Sequence, residues 1–86
     1  MGCKELKTGA FIFIQTDIGS EMKVFEELYK IPEVKEVYIV YGIYDIIAKI
    51  ETDSLEKIRQ IIISRIRRIP EIRTTNTMVI VEGTRK

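Results

Sequence analysis

Apolar residues recur along the chain at two spacings, and the alternation of these spacings predicts four strands and two helices. Runs of strand length, rich in β-branched and aromatic residues, cover Ala10–Thr16, Val34–Tyr41, Tyr44–Glu51 and Ile72–Glu82. Two stretches between these runs carry apolar residues at helical spacing. Their apolar stripes comprise Val24, Phe25, Leu28 and Tyr29 in the first stretch and Leu55, Ile58, Ile61, Ile62, Ile66 and Ile69 in the second. The predicted element order is therefore βαββαβ.

The ends of the predicted helices carry start and stop signals. Ser20 suits the N-cap of the first helix, and Asp53, with Glu56 three residues later, forms a capping-box-like pair at the start of the second. Pro32 and Pro70 follow the two helices, and the residue before a proline disfavours helical backbone angles. Each helix is therefore expected to end at the Ile-Pro pair.

The two halves of the chain contain a short internal repeat. Ile31–Lys35 is similar to Ile69–Arg73, and each segment lies where a predicted helix ends and a strand begins. Two βαβ halves of these lengths predict an α+β protein, the ferredoxin-like βαββαβ sandwich. Right-handed crossovers place strands one and three in the centre of an antiparallel sheet of order 4-1-3-2. We predict one domain over residues 10–82, with tails at residues 1–9 and 83–86.

In this fold both helices cover one face of the sheet, and the other face is normally polar in a monomer. Phe11 and Phe13 alternate with Ile12 and Ile14 on the first strand, so each face receives two large apolar side chains. A helix-free face this apolar exceeds the patch that a soluble monomer usually tolerates. It is therefore predicted to pack against the same face of a second copy, as a two-fold homodimer.

Composition narrows the functional classes. The net charge of +1 argues against direct nucleic-acid binding, which needs a clustered basic excess. Arg65, Arg67 and Arg68 are interpreted as solvent-exposed residues that interact favourably with the C-terminal end of the helix dipole. The chain has no histidine, the side chain best suited to proton transfer near neutral pH and the commonest transition-metal ligand. No catalytic residue, metal or cofactor is predicted. The single cysteine, Cys3, and the lack of a long apolar run predict a cytoplasmic protein without a membrane span.

The stretch Tyr41–Asp45 joins the second and third predicted strands. Gly42 within it predicts a tight hairpin in which the glycine takes a positive φ. One interpretation has Tyr44 packing and Asp45 facing water. The other makes the turn half of a small-molecule pocket.

Two motifs on this frame resemble those of a known family. Gly42–Ile46 is similar to the G-x-Y-D-hydrophobic turn of the effector-binding domain of the Lrp/AsnC transcriptional regulators, and Thr75–Thr77 resembles the T-x-T strand of that domain. The resemblance covers about residues 10–82. It implies sheet-to-sheet dimers that assemble into rings, with an amino acid or a related effector bound between dimers.

The resemblance also implies a set of ligand-binding residues, namely Gly42, Tyr44, Asp45, Thr75 and Thr77. A glycine turn exposes backbone N–H groups that can hold a carboxylate. Asp45 can meet an ammonium group, and the two threonines add hydroxyls two positions apart on one strand. Tyr41 stands where the family often has a small hydroxyl residue, and its bulk narrows the pocket or changes the ligand.

Full-length members of the family carry a helix-turn-helix domain, for which Met1–Gly9 is too short. The chain thus resembles the stand-alone form of the domain, which implies association with full-length Lrp/AsnC regulators and no DNA binding of its own. Two alternatives share the frame. One is a small enzyme of the dimeric α+β barrel class, which usually places histidine, arginine or a haem ligand in its cleft, and the other is an ACT-like amino-acid-binding domain.

Overall fold

A computed structural model describes residues 8–84 and contains the predicted βαββαβ order. The elements are β1 (Thr8–Thr16), α1 (Glu21–Tyr29), β2 (Val34–Ile39), β3 (Ile46–Thr52), α2 (Leu55–Ile61), a π-helical turn (Ile62–Ile66) and β4 (Ile72–Val79). The strands form one sheet of order β2-β3-β1-β4. This is the predicted 4-1-3-2 order viewed from the other edge, so the ferredoxin-like fold is confirmed.

The central strand β1 pairs antiparallel with β3 on one side and with β4 on the other. Its even-numbered residues are buried beneath the helices, whereas Phe11 and Phe13 face the opposite side and are only half-buried. The register places Ile12 beside Ala48 and Thr77, and Ile14 beside Ile46 and Thr75. Because side chains alternate between the two faces of a regular strand, this register assigns a face to the residues of β3 paired with β1 and to Thr74–Val79 of β4. The register shifts between Thr74 and Ile72.

The core lies between the sheet and the helices and is almost entirely aliphatic. Isoleucine predominates among its fully buried side chains, each of which contributes about 1.5–3 kcal/mol when removed from water. The residues that have no exposed surface at all are Ala10, Ile12, Ile14, Val24, Leu28, Ile46, Ala48, Ile50, Ile58 and Ile66. Thr16 is the one buried polar residue in the described part of the chain.

Several strand boundaries differ from the prediction. β2 ends at Ile39 instead of Tyr41, β3 begins at Ile46 instead of Tyr44, and β4 ends at Val79 instead of Glu82. The apolar residues just beyond these ends are exposed: Tyr41 and Val81 lie almost entirely in solvent. One backbone hydrogen bond continues each pairing beyond the strand end, from the N–H of Val40 to the carbonyl of Asp45 and from the N–H of Ile80 to the carbonyl of Gly9. Hydrophobicity extended the predicted strands past these last bonds. β1 starts at Thr8, inside the predicted tail, and residues 1–7 lie outside the described range.

The N-cap of α2 is Ser54, and the prediction of Asp53 is wrong by one residue. The Ser54 hydroxyl accepts a hydrogen bond from the N–H of Lys57 at 3.1 Å, on extended backbone (φ −159°, ψ 155°). The carboxylate of Asp53 instead accepts a hydrogen bond from the hydroxyl of Thr52 at 3.3 Å. Ser20 does precede α1 as predicted, but its side chain makes no capping bond.

The second helix widens into a π-helical turn, which the spacing of apolar residues did not predict. The N–H of Arg67 donates to the carbonyl of Ile62, five residues earlier, at 2.8 Å. The sequence has adjacent isoleucines at 61 and 62, and both are buried together with Ile66 and Ile69. The five isoleucines of the predicted apolar face are therefore buried, whereas Leu55, predicted to belong to it, is 41% exposed. No helix within residues 8–84 is long and apolar enough to cross a membrane.

The cap assignment predicts the outcome of two neighbouring substitutions. Ser54→Ala should lower the free energy of unfolding by about 1 kcal/mol, because the Lys57 N–H loses its acceptor. The matched change Asp53→Ala should alter it by less than about 0.5 kcal/mol, since Asp53 is exposed and caps nothing. Urea unfolding at one fixed protein concentration measures both. A larger loss for Asp53→Ala would contradict the assignment.

Candidate functional site

Asp45 ties the connection between β2 and β3 to the end of β1. Its Oδ2 atom accepts a hydrogen bond from the backbone N–H of Thr16 at 2.8 Å. Its own N–H donates to the carbonyl of Ile14 at 2.9 Å, and its carbonyl accepts from the N–H of Val40 at 2.9 Å. The half-buried Asp45 therefore has a structural role, and Oδ1 is left as an acceptor.

Tyr44 lies on the helix-free face of the sheet. Its ring packs against Phe13 with the ring centroids 5.4 Å apart and the planes tilted by 54°. Its hydroxyl accepts a hydrogen bond from Nδ2 of Asn76 at 2.8 Å. Asn76 is the middle residue of the Thr75–Thr77 strand, so the two predicted motifs do meet on this face, although through a residue that was not predicted.

A second polar link runs parallel to the first. Gln15 donates from Nε2 to the carbonyl of Ile43 at 3.0 Å, and its Oε1 accepts the hydroxyl of Thr74 at 2.7 Å. The sequence signal for Gln15 was its position as the only polar residue between Phe13 and Thr16 on an apolar strand. Gln15 and Asn76 therefore hold the 40–45 connection against the end of the sheet.

Gly42 does not adopt the predicted positive φ, and the prediction of a tight hairpin is wrong. The connection runs over the six residues between Ile39 and Ile46, so no residue needs left-handed backbone angles. A Cβ added at Gly42 would meet no atom within 4 Å. The glycine that does take a positive φ, of 82°, is Gly19, in the turn before α1.

Thr75 and Thr77 share one face of β4, as predicted, but it is the helix side. Their partners on β1 are Ile14 and Ile12, whose side chains are buried beneath the helices. The helices lie mainly over β1, β2 and β3. The helix side of β4 is consequently accessible, with Thr75 half-buried and Thr77 exposed.

The two threonines line different clefts. Thr77 contributes to an open, mainly apolar cleft of about 340 Å³ between α2 and β4, lined also by Leu55, Ile58, Arg59, Ile62, Ile63 and Val79. Thr75 contributes to a polar cleft of about 380 Å³, lined also by Arg67, Ile72, Arg73 and Thr74. Among residues 8–84, Tyr44 and the two threonines thus lie on opposite faces of the sheet, and neither of these two clefts is lined by Gly42, Tyr44 or Asp45.

The helix-free face combines an apolar centre with polar groups around it. Met78 and Tyr38 are exposed by 61% and 53%, and Lys49 lies over the Phe11 ring at 5.7 Å while pairing with Glu51 at 3.3 Å. The Tyr38 hydroxyl donates to the Glu36 carboxylate at 2.8 Å; this bond, reinforced by the carboxylate charge, raises the pKa of Tyr38. In residues 8–84 no cluster of histidine, cysteine and carboxylate side chains could hold a metal ion.

The fold and the two motifs define a ligand-binding domain of regulatory type, and comparison with known families gives the particular family. The model of the Lrp/AsnC ligand binding domain matches residues 9–85. This match covers nearly the whole chain. The protein belongs to the Lrp/AsnC ligand-binding-domain family.

Curated relatives of the chain are transcriptional regulators. An HTH-type transcriptional regulator of Pyrococcus furiosus, described as uncharacterized, is 39% identical over 77 residues, which are 86% of this chain and 51% of the relative. The HTH-type transcriptional regulator FL11 of Pyrococcus horikoshii is 34% identical over 73 residues, 85% of this chain and 48% of FL11. The chain therefore spans about half the length of the curated relatives it matches.

Solved structures similar to this chain include proteins of two lengths. The crystal structure of FFRP-DM1 is 49% identical with a TM-score of 0.83, over 86% of this chain and 99% of that chain. The hypothetical protein PHS023 from Pyrococcus horikoshii is 47% identical with a TM-score of 0.83, over 88% and 92% of the two chains. Escherichia coli AsnC is 26% identical with a TM-score of 0.86, over 92% of this chain and 54% of AsnC.

The hydrogen bond from Thr16 to Asp45 predicts losses of stability of different size for two substitutions. Asp45→Ala should cost about 2 kcal/mol of unfolding free energy, because the N–H of Thr16, a residue only 5% exposed, loses a charged acceptor. Asp45→Asn keeps an amide oxygen for that N–H and should cost less than about 1 kcal/mol. Thermal and urea unfolding measure both. Equal losses would contradict the structural role of Oδ2.

Proposed function

We propose that the protein is a regulatory module that binds an amino acid or a related small effector. It acts as a homodimer or a ring of dimers and modulates transcription together with full-length Lrp/AsnC regulators. The observation that carries the proposal is the family match over residues 9–85, combined with a Gly42–Asp45 segment and a Thr75–Thr77 strand that are both accessible. The module works in the cytoplasm with its regulators and binds no DNA through the described domain.

The chemistry of the 40–45 connection suits an amino acid. Within residues 8–84 no protein group accepts a hydrogen bond from the backbone N–H of Gly42 or Ile43, and such N–H groups can hold a carboxylate. Asp45 adds Oδ1 as an acceptor for an ammonium group. The hydroxyls of Thr75 and Thr77 likewise make no hydrogen bond within the described chain, so they remain free to bind a ligand.

The structure lends little support to the alternative of a dimeric α+β barrel enzyme. Such an enzyme needs buried polar groups in the cleft between sheet and helices. Here that space is filled by isoleucine, leucine, valine and alanine. Thr16 is the buried polar residue of the described chain, and its hydroxyl already donates to the carbonyl of Asp17 at 3.1 Å. The module is therefore proposed to bind its effector without chemical turnover.

The homodimer is proposed to form through the helix-free face. Phe11, Phe13 and Ile47 form an apolar centre that no element within residues 8–84 covers, and Met78 and Tyr38 extend it. A two-fold contact would bury this centre against itself and leave the surrounding charged groups at the rim. It would also bring Tyr44 and Asn76 of both copies close to the interface, which connects assembly to the candidate site.

The dimer proposal predicts that Met78→Lys yields a monomer. In a two-fold interface a single substitution introduces two ammonium groups into one apolar contact, and their desolvation is not compensated. Size-exclusion chromatography with light scattering measures the mass. Ile18→Lys is the matched control, because Ile18 is 97% exposed but lies in the loop before α1; it should leave the dimer intact. A Met78→Lys protein that keeps the wild-type mass would rule out this face as the interface.

The effector proposal predicts that at least one common amino acid raises the melting temperature of the assembled protein. A ligand present at 100 times its dissociation constant adds about 2.7 kcal/mol of stability. Asp45→Asn, which keeps the bond from Thr16, should abolish this shift and leave the dimer intact, because only the charge toward an ammonium group is removed. If no amino acid stabilises a protein shown to be assembled, effector binding is not its function.

A further inference from the structure

The polar cleft beside Thr75 has a feature that the five predicted site residues do not account for. Two arginines from different elements line it: Arg67 follows the π-helical turn, and Arg73 lies near the start of β4. Ile72 and Thr74 complete the lining together with Thr75. The cleft has a volume of about 380 Å³, and four of its five lining residues are arginines or threonines.

Neither arginine is neutralised within the described chain. All ion pairs among residues 8–84 involve lysines, and no arginine side chain there takes part in a hydrogen bond to another residue. Glu71, the acidic residue closest in sequence to Arg73, pairs instead with Lys23 of α1 at 3.3 Å. The charge of the two guanidinium groups is therefore available to a ligand.

The end of a helix alone does not account for this arrangement. The helix C-terminus carries the equivalent of about half a negative charge, and its influence falls off within the last turn. The two positive charges of Arg67 and Arg73 are larger than this half negative charge, so the helix end does not explain the presence of both. Arg73, moreover, belongs to β4 and not to the helix. Arg65 and Arg68 also lie at this helix end without lining the cleft. Arg67 and Arg73 are thus distinguished from their neighbours by position.

We propose that Arg67 and Arg73 form a carboxylate subsite and that the protein prefers acidic effectors to neutral and cationic ones. A guanidinium group presents parallel N–H donors that match the two oxygens of a carboxylate. The Thr75 hydroxyl, half-buried at the edge of the cleft, is a further donor. This inference rests on the proposed effector-binding function, because Thr75 links the cleft to the proposed site, and it names the chemical class of that effector.

Calorimetric titration of the assembled protein tests the preference with matched ligand pairs. Aspartate and asparagine differ only in the charge of the side chain, and so do glutamate and glutamine. The acidic member of at least one pair should bind about tenfold or more tightly, as expected for a charge-assisted contact. Lysine should bind more weakly than either member. Succinate, a dicarboxylate without an ammonium group, tests the subsite alone.

Three variants assign the effect to the cleft. Arg73→Gln and Arg67→Gln should each weaken binding of the acidic ligand about tenfold and leave that of the neutral one within about twofold. Arg68→Gln is the matched control, since it removes an exposed arginine beside Arg67 that does not line the cleft; it should bind like the wild type. All three positions are exposed, so unfolding curves should remain close to that of the wild type.

The outcomes separate this inference from the proposed function. If a neutral amino acid binds as tightly as its acidic partner, the carboxylate subsite is refuted while effector binding stands. If succinate binds through Arg67 and Arg73 but no amino acid does, the subsite stands and the proposed function fails. If the arginine variants change the mass of the assembly without changing affinity, the guanidinium groups meet a carboxylate of another copy, and the inference is overturned.

Discussion

Apolar side chains on both faces of β1 are the constraint on which the rest of the structure depends. Ala10, Ile12 and Ile14 point toward the helices, and Phe11 and Phe13 point away from them. A central strand of this kind can be stable only between two covering layers, because each large apolar side chain left in water forgoes about 1.5–3 kcal/mol. The chain supplies one layer from its own two helices. No described element of the chain covers the other face, and in the proposed homodimer the same face of a second copy would supply the second layer.

Asp45 links the stability of the fold to the chemistry of the candidate site. One carboxylate oxygen accepts a hydrogen bond from the N–H of Thr16 at the end of β1. The N–H and the carbonyl of Asp45 form hydrogen bonds with the backbone of Ile14 and Val40. A residue held by three backbone contacts presents its remaining oxygen in a defined direction. This preorganisation favours ligand binding, and it also means that deletion of the side chain perturbs the fold along with the site.

The division of the candidate residues between two faces explains why a single chain lacks a complete pocket. Tyr44 contacts Phe13 and Asn76 on the helix-free face, whereas Thr75 and Thr77 open toward clefts on the helix side. In the proposed assembly, a neighbouring copy would complete each face and bring both sets of residues into use.

The amino-acid sequence was sufficient to predict the element order, the sheet topology and the two motifs that mark the family. These follow from side-chain periodicity, which depends only on local geometry: a period of two for strands and 3.6 for helices. It did not determine where the strands end, because Tyr41 and Val81 have the propensity for a strand but no partner strand beside them.

The remaining features became visible only in three dimensions, and all but the helix cap depend on groups distant in sequence. Ser54 and not Asp53 caps α2, because the backbone turns into the helix one residue later than the capping-box spacing indicates. The Gly42 connection avoids left-handed angles because Gln15 and Asn76 hold a longer loop in place. The convergence of Arg67 with Arg73 also arises from the packing of a helix end beside a strand, which brings together two residues that no local pattern connects.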